Sequence, residues 1–168
     1  MLFVTKKSKP MKIEFLNLLV ALGVALCYLF VTIKLLTPFF YQFSKPMTNA
    51  TGILFFGVIL GFGICLNDFS AISTNALIYY STKGTVFLGI GYYFLFAFIS
   101  LVFSYVLFRI SFFVIDFATN ENEKVELAKN NFIIAGIHAV VFNILCLVLS
   151  HSVSIWANTF MNYPNFPD

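Results

Sequence analysis

Apolar residues fill four long stretches of the chain, which polar or aromatic segments separate from one another. The stretches lie at 15–36, 50–66 and 85–115 and, after a polar loop end, within 129–154. Runs of about 20 apolar residues are long enough to cross a bilayer as helices. The hydropathy pattern therefore predicts an all-α integral membrane protein with four transmembrane helices.

Local signals set the expected ends of these helices. The Thr-Pro pair at 37–38 is expected to end the first helix, because proline disfavours a helical conformation in the residue before it. Thr48 and Asn49 are both candidate N-caps of the second helix. The partly polar segment 67–84 predicts a loop lying on the membrane surface. The glutamate-rich segment 117–130 predicts a loop exposed to water.

Small and polar residues recur every three or four positions along the second and fourth stretches, and so share one face of each predicted helix. Small residues at that spacing let membrane helices approach one another closely. We therefore predict helix packing at five positions: Gly57, Gly61, Gly136, Ala139 and Asn143. This set is called the small-residue face below.

Composition strengthens the membrane assignment. Of the 168 residues, 60% are hydrophobic and 10% are charged, against about 45–50% and about 25% in ordinary soluble domains. A water-soluble fold of this length could not hide so much apolar surface, so lipid is the predicted partner. Four lysines crowd the segment 1–12, but no folded basic face follows, which excludes a nucleic-acid-binding protein.

A weak internal repeat organises the chain. A shift of 81 residues places the second stretch on the fourth and pairs Asn49 with Asn130 and Cys65 with Cys146. Both copies share the order of helix, basic residue, short loop, asparagine and small-residue helix. This layout predicts two parallel two-helix repeats of the kind found in some transporters.

These boundaries divide the chain into three parts. A four-helix membrane domain spans 13–155, with repeat one at 13–73 and repeat two at 85–155. The basic segment 1–12 precedes the domain. The segment 156–168 predicts an irregular tail, because it carries two prolines and little periodicity.

Three segments resemble a known family: LLTPFF at 35–40, NATGILFFGVILGFGICL at 49–66 and NNFIIAGIHAVVFNILCLVLSHSV at 130–153. They resemble the bacterial inner-membrane proteins called domain of unknown function three-fifty (YjfL-like). That pattern has Thr-Pro after the first helix and then asparagine, alanine and glycine opening the second. The second copy here departs from it at Asn131-Phe132, where the family has Asn-Val-Ala. The resemblance covers about 13–155 and implies a two-repeat, four-helix protein of the inner (plasma) membrane with no established activity.

The distribution of lysine and arginine predicts the orientation of the chain in the membrane, because these residues concentrate in cytoplasmic loops. Counted from Met1, the terminal side and the two odd loops carry equal numbers of these residues. Counted from Met11, a second candidate start of translation, the odd loops carry more. We therefore predict that loops 37–48 and 117–130 are cytoplasmic.

Three polar residues are candidates for an ion path, because ionisable groups within membranes are usually functional. Asp68, expected at the end of the second helix, either lines such a path or is a solvated helix end. His138 is either a proton relay or metal ligand, or a neutral histidine bonded to a neighbouring helix. Asn143 lies deepest in an apolar helix, where it either specifies packing or contacts a substrate.

Other chemistry has little support. Cys27, Cys65 and Cys146 lie in apolar stretches and are expected to be buried thiols. The latter two could bind a soft metal with a histidine, but no C-x-x-C or H-x-x-x-H spacing supports that site. We therefore predict no metal and no cofactor. No hydrolase, metalloprotease or phosphate-loop motif occurs, so the chain is predicted not to be an enzyme.

Two functions follow from these patterns. The first is a structural or accessory protein that packs with copies of itself or with a membrane protein partner through the small-residue face. The second is a small transporter or channel whose path lies at the repeat interface. The aromatic loops suggest a third function, a lipid-interacting component of a stress response.

Overall fold

The computed structural model describes residues 10–42, 47–119 and 122–160, and within them it contains helices and no strand. The helices are α1 Pro10–Tyr41, α2 Asn49–Thr82, α3 Val86–Thr119, α4 Glu123–Ala128 and α5 Phe132–Phe160. All but the short α4 are long and apolar enough to cross a membrane. The predicted all-α membrane fold is confirmed.

α2 is the central helix of the bundle. It packs against α3 and α5, and it also contacts α1. Its buried residues run from Ala50 to Leu77. Within the described residues α1 contacts α2 and α3 but not α5. The separation of α1 from α5 leaves a groove on one side of the bundle.

α2 is longer than the sequence predicted. Most of the segment 67–84, which we predicted as a surface loop, belongs to this helix. Neither glycine nor proline occurs at 64–83, so nothing in the local sequence breaks the helix. α2 ends before Gly84, whose φ of +78° is a left-handed conformation that favours glycine. The loop was predicted from the polar residues of this segment, but polar residues do not by themselves end a helix.

Several polar side chains in the second half of α2 have hydrogen-bond partners inside the fold. Ser73 Oγ donates to the Phe69 carbonyl at 3.0 Å. The Thr74 and Tyr93 hydroxyls lie 2.7 Å apart, and Tyr93 in turn donates to Asn17 Oδ1 at 2.7 Å. The contacts of Tyr93 link α2, α3 and α1, so Thr74 helps to stabilise the bundle.

α1 continues through Pro38 to Tyr41, so the prediction that the Thr-Pro pair ends the helix is wrong. Proline is tolerated in membrane helices where neighbouring groups compensate for the missing backbone hydrogen bond. Phe40, in the last turn, is fully buried. Its ring centroid lies 5.3 Å from that of Phe55 and 6.0 Å from that of Phe108. Tertiary packing of this aromatic ring holds the last turn in place.

The chain ends also differ from the prediction. Residues 156–160 belong to α5 and are not part of an irregular tail. The remainder of the predicted tail, 161–168, lies outside the described residues, as do residues 1–9 of the basic segment. The apolar periodicity weakens at 156, but the segment 156–160 contains neither proline nor glycine.

The two connections predicted to be cytoplasmic meet at one end of the bundle. Thr48, one of the two predicted candidates, is the N-cap of α2 and accepts from the Thr51 N–H at 3.2 Å. Its hydroxyl also lies 3.3 Å from the Leu127 carbonyl. Asn130, at φ 65°, accepts from the Ala50 N–H at 2.9 Å. The start of α2 is therefore capped by residues from both connections.

Tyr28 attaches α1 to the middle of the bundle. Its hydroxyl donates to the Phe62 carbonyl at 3.1 Å and lies 3.3 Å from each of the Ser100 and Ser104 hydroxyls. We expect Tyr28→Phe to lower the free energy of unfolding by about 1–2 kcal/mol, because buried polar groups lose a partner. Unfolding by sodium dodecyl sulfate in mixed micelles measures the change.

The control for this variant is Tyr41→Phe, since Tyr41 is exposed at the end of the same helix. Equal unfolding curves for the two variants would contradict the role assigned to the Tyr28 hydroxyl.

Candidate functional site

The small-residue face joins α2 to α5. A methyl group on Gly57 would lie 2.4 Å from Ala139 Cβ, and one on Gly61 would lie 2.3 Å from the Phe142 ring. Only glycine allows this approach of the two helices. Asn143 Nδ2 donates to the Gly57 carbonyl at 3.0 Å and to the Ala139 carbonyl at 2.6 Å.

Gly136 does not take part in this contact. Among the described residues, no atom outside the adjoining helix backbone lies within 4 Å of the position that a Cβ atom would occupy on it. At this level of α5 the fully buried residues are Ala135 and His138. The other four predicted positions take part in the contact between α2 and α5 within a single chain.

Asp68 lies near the middle of α2, so its expected place at a helix end is wrong. The Ser150 hydroxyl of α5 contacts both the Asp68 carboxylate and the Cys146 carbonyl. The carboxylate is thus held at the α2–α5 interface, in a stretch apolar enough to cross a membrane.

Asp68 also lines the groove between α1 and α5, whose volume is about 840 Å³. Much of the wall is aliphatic and aromatic. Its polar lining residues are Tyr28, Thr32, Asn67, Asp68 and His151. The volume lies in the range that small ligands occupy in proteins. The groove therefore brings an ionisable carboxylate into contact with space that is open at the side of the bundle.

The three cysteines differ in their burial. Cys65 and Cys146, the pair matched by the predicted repeat, are fully buried and their thiols face each other across the α2–α5 interface. Cys27, which we expected to be buried, is exposed on α1. In the described ranges no three His, Cys, Asp or Glu side chains are grouped as a metal site.

A second polar cluster lies where α3, α4 and α5 meet. Glu123 Oε1 contacts His138 Nδ1, and His138 Nε2 lies 2.7 Å from Ser111 Oγ. None of these three side chains is more than 1% exposed. The Phe112 ring packs edge-on against the imidazole, with centroids 4.2 Å apart. The expectation that segment 117–130 is exposed to water is therefore wrong for Glu123.

The hydrogen bonds fix where the protons lie in this cluster. Ser111 Oγ lies 2.8 Å from the Phe108 carbonyl, which can only accept. Both contacts of Ser111 are hydrogen bonds if its hydroxyl donates to Phe108 while His138 Nε2–H donates to Ser111. In a serine hydrolase the hydroxyl donates to the imidazole instead. Ser111, His138 and Glu123 contact one another in the same order as the residues of a hydrolase triad. Here the histidine donates to the serine and all three side chains are buried, which favours a structural role.

Burial raises the pKa of Glu123 above its ordinary value, because desolvation disfavours the carboxylate. The hydrogen bond from His138 opposes that shift, and the nearby Asp116 carboxylate adds to it. Asp116 Oδ1 also accepts from the Glu123 N–H at 2.9 Å. On the outer side of α4, Lys129 and Asn131 hold the pKa of Glu126 below its usual range.

His138 was a candidate from the sequence alone, whereas Glu123 and Ser111 were not. The histidine bonds a neighbouring helix, as one of the two interpretations expected. Glu123 lies in a charged segment whose local pattern is that of a solvated loop. Only the fold of α4 back onto α5 turns this side chain inward, and no periodicity in the sequence carries that signal.

No protein-family model, curated protein or solved structure matches this chain. Its class is defined by the fold alone. Four apolar helices make it a multi-pass membrane protein that contacts the lipid bilayer.

Proposed function

We propose that the chain is a small membrane carrier or channel in which Asp68 receives a cation or a protonated group. The observation that supports this function is the placement of Asp68, near the middle of α2 and in the wall of an 840 Å³ groove. An ionisable side chain costs free energy in a membrane interior and is usually functional there. His138 and Asn143, the other two candidates for an ion path, do not line this groove.

The accessory function has less support, because it rested on the small-residue face. Most of the small-residue face is occupied by the contact between α2 and α5. A second copy or a protein partner would therefore meet residues that are already engaged within the chain. This is why we place the carrier or channel first.

Membership of the YjfL-like family, residence in the inner membrane and the cytoplasmic location of loops 37–48 and 117–130 remain our proposals. The two connections contact each other through Thr48 and Leu127, which supports placing them on one side. Labelling of a cysteine introduced at Lys124, an exposed position, in intact cells and in inverted vesicles tests the orientation. Reaction only in inverted vesicles is expected.

The transport function is tested by cation flux into proteoliposomes. Vesicles are loaded with a pH-sensitive dye and exposed in turn to gradients of K⁺, Na⁺, NH₄⁺ and a short-chain alkylammonium ion. We expect at least one gradient to give flux above that of protein-free vesicles. Asp68→Asn is expected to return that flux to the protein-free level, because the amide carries no charge to balance the cation.

Glu14→Gln is the matched control, since it makes the same chemical change at an exposed position near the start of α1. It is expected to leave the flux unchanged. Flux equal to that of empty vesicles for every cation, or equal flux in Asp68→Asn and the native chain, would remove the proposed function.

A further inference from the structure

α4 lies at the end of the bundle, where it contacts α2, α3 and α5. Of its six residues, Glu123 and Leu127 are the buried ones. Glu123 is the residue that reaches His138 of α5, so the position of this short helix depends on a carboxyl group buried beside an imidazole.

The contacts of Glu123 require a proton. Its second carboxyl oxygen, Oε2, is buried and has no hydrogen-bond partner among the residues that the structure describes. Burying a charged oxygen without a partner is costly, whereas a neutral acid group avoids that cost. His138 already donates from Nε2 to Ser111, so one further proton lies between Glu123 Oε1 and His138 Nδ1. With that proton the pair is neutral overall, and without it a net negative charge is buried.

We infer that Glu123 and His138 form a proton-binding site that holds α4 on the membrane bundle when the proton is bound and releases α4 when it is lost. The site lies apart from Asp68 and its groove, so this inference is independent of the proposed carrier or channel function. Its ligand is the proton, and its output is the exposure of the α3–α5 connection to water.

The groups around Glu123 also favour the protonated state of the Glu123–His138 pair. From α3, the Asp116 carboxylate accepts the Glu123 N–H and disfavours a second negative charge. From α5, the titratable group that faces Glu123 is His138. From the α2 end, the Thr48 hydroxyl contacts α4 but does not titrate in this range. On α4 itself, Lys124 is exposed, and Glu126 is engaged by Lys129 at 2.7 Å and by Asn131 at 3.0 Å.

The direction of the pH dependence follows from proton counting. When α4 leaves the bundle, Glu123 enters water and ionises above its ordinary pKa of about 4.3. The docked state keeps its proton to higher pH, since burial raises the pKa of Glu123. Docking is therefore fully favoured below about pH 4.3 and is lost as the pH rises through the raised pKa.

Hydrogen–deuterium exchange of the full chain in lipid nanodiscs tests this inference. Exchange of the α4 amides is followed from about pH 5 to about pH 9 and corrected for the pH dependence of chemical exchange. We expect their protection to fall by up to about tenfold per pH unit, the slope for one proton. The peptides of α5 should keep their protection throughout, which shows that the bundle remains folded.

Glu123→Gln mimics the protonated acid, because its amide can donate to His138 Nδ1 and cannot ionise. We expect this variant to protect α4 equally at all pH values. Glu126→Gln, on the outer side of the same helix, is expected to keep the native pH dependence. Flat protection in the native chain, or a native slope in Glu123→Gln, would overturn the inference.

Discussion

His138→Ala is expected to lower the free energy of unfolding by about 3–5 kcal/mol, the range found when one partner of a buried pair is removed. The imidazole is fully buried and bonds Glu123 on one side and Ser111 on the other. Its removal leaves Glu123 Oε1 without this partner and takes from Ser111 one of its two contacts, since Ser111 still bonds the Phe108 carbonyl. It also opens a cavity beside Phe112, which adds to the loss. Unfolding by sodium dodecyl sulfate in mixed micelles measures the change.

The matched control is His151→Ala, because His151 is exposed and lies on the same helix. A change within about 0.5 kcal/mol is expected there. A loss at His138 no larger than that at His151 would show that the cluster of Glu123, His138 and Ser111 contributes nothing to stability.

Gly57→Ala is expected to destabilise the chain by about 1–3 kcal/mol, as overpacking of a close contact does. The added methyl group would lie 2.4 Å from Ala139 Cβ and 3.3 Å from Ala139 Cα. Backbone cannot move aside as a flexible side chain can, so α2 and α5 must separate. The hydrogen bond from Asn143 to the Gly57 carbonyl, 3.0 Å long, would stretch with them. The same detergent titration follows this loss.

Two further variants separate steric conflict from other effects. Gly52→Ala makes the same change in the same helix, at a position where the added methyl group would meet no other described part of the chain within 4 Å. That variant should be neutral or slightly stabilising, since alanine favours helix more than glycine does. Ala139→Gly in the Gly57→Ala background moves the methyl group from one helix to the other and should restore most of the stability. If Ala139→Gly fails to rescue, the close contact is not the cause of the loss.

Much of the fold could be predicted from the sequence, because lipid imposes a simple requirement. Backbone groups in a bilayer must be satisfied within each segment, so a long apolar run has to form a helix. The four spanning helices and the Thr48 cap followed from this rule and from local chemistry. The segment 67–84 was predicted wrongly, because its polar residues suggested water while their partners lie on neighbouring helices, as Thr74 and Tyr93 show.

The candidate site also has features that the sequence predicts and features that only the tertiary structure sets. Asp68 and His138 were predicted as ionisable groups in apolar surroundings, and Gly57 was predicted as a packing position from its spacing to Gly61. The groove around Asp68 depends on the separation of α1 from α5, which no local pattern encodes. The order of the contacts at His138 likewise depends on how three helices approach one another.

The sequence by itself determined that the helices lie in lipid and that the chain is an all-α membrane protein. Hydropathy summed over about 20 residues is a local property, so it can be read without the fold. The tertiary structure decided which faces meet. It placed the carboxylate of Asp68 in a groove and turned Glu123 from a charged connection into the bundle. Those outcomes depend on partners distant in the chain, and the free energy of a buried polar group is set by the partner it finds.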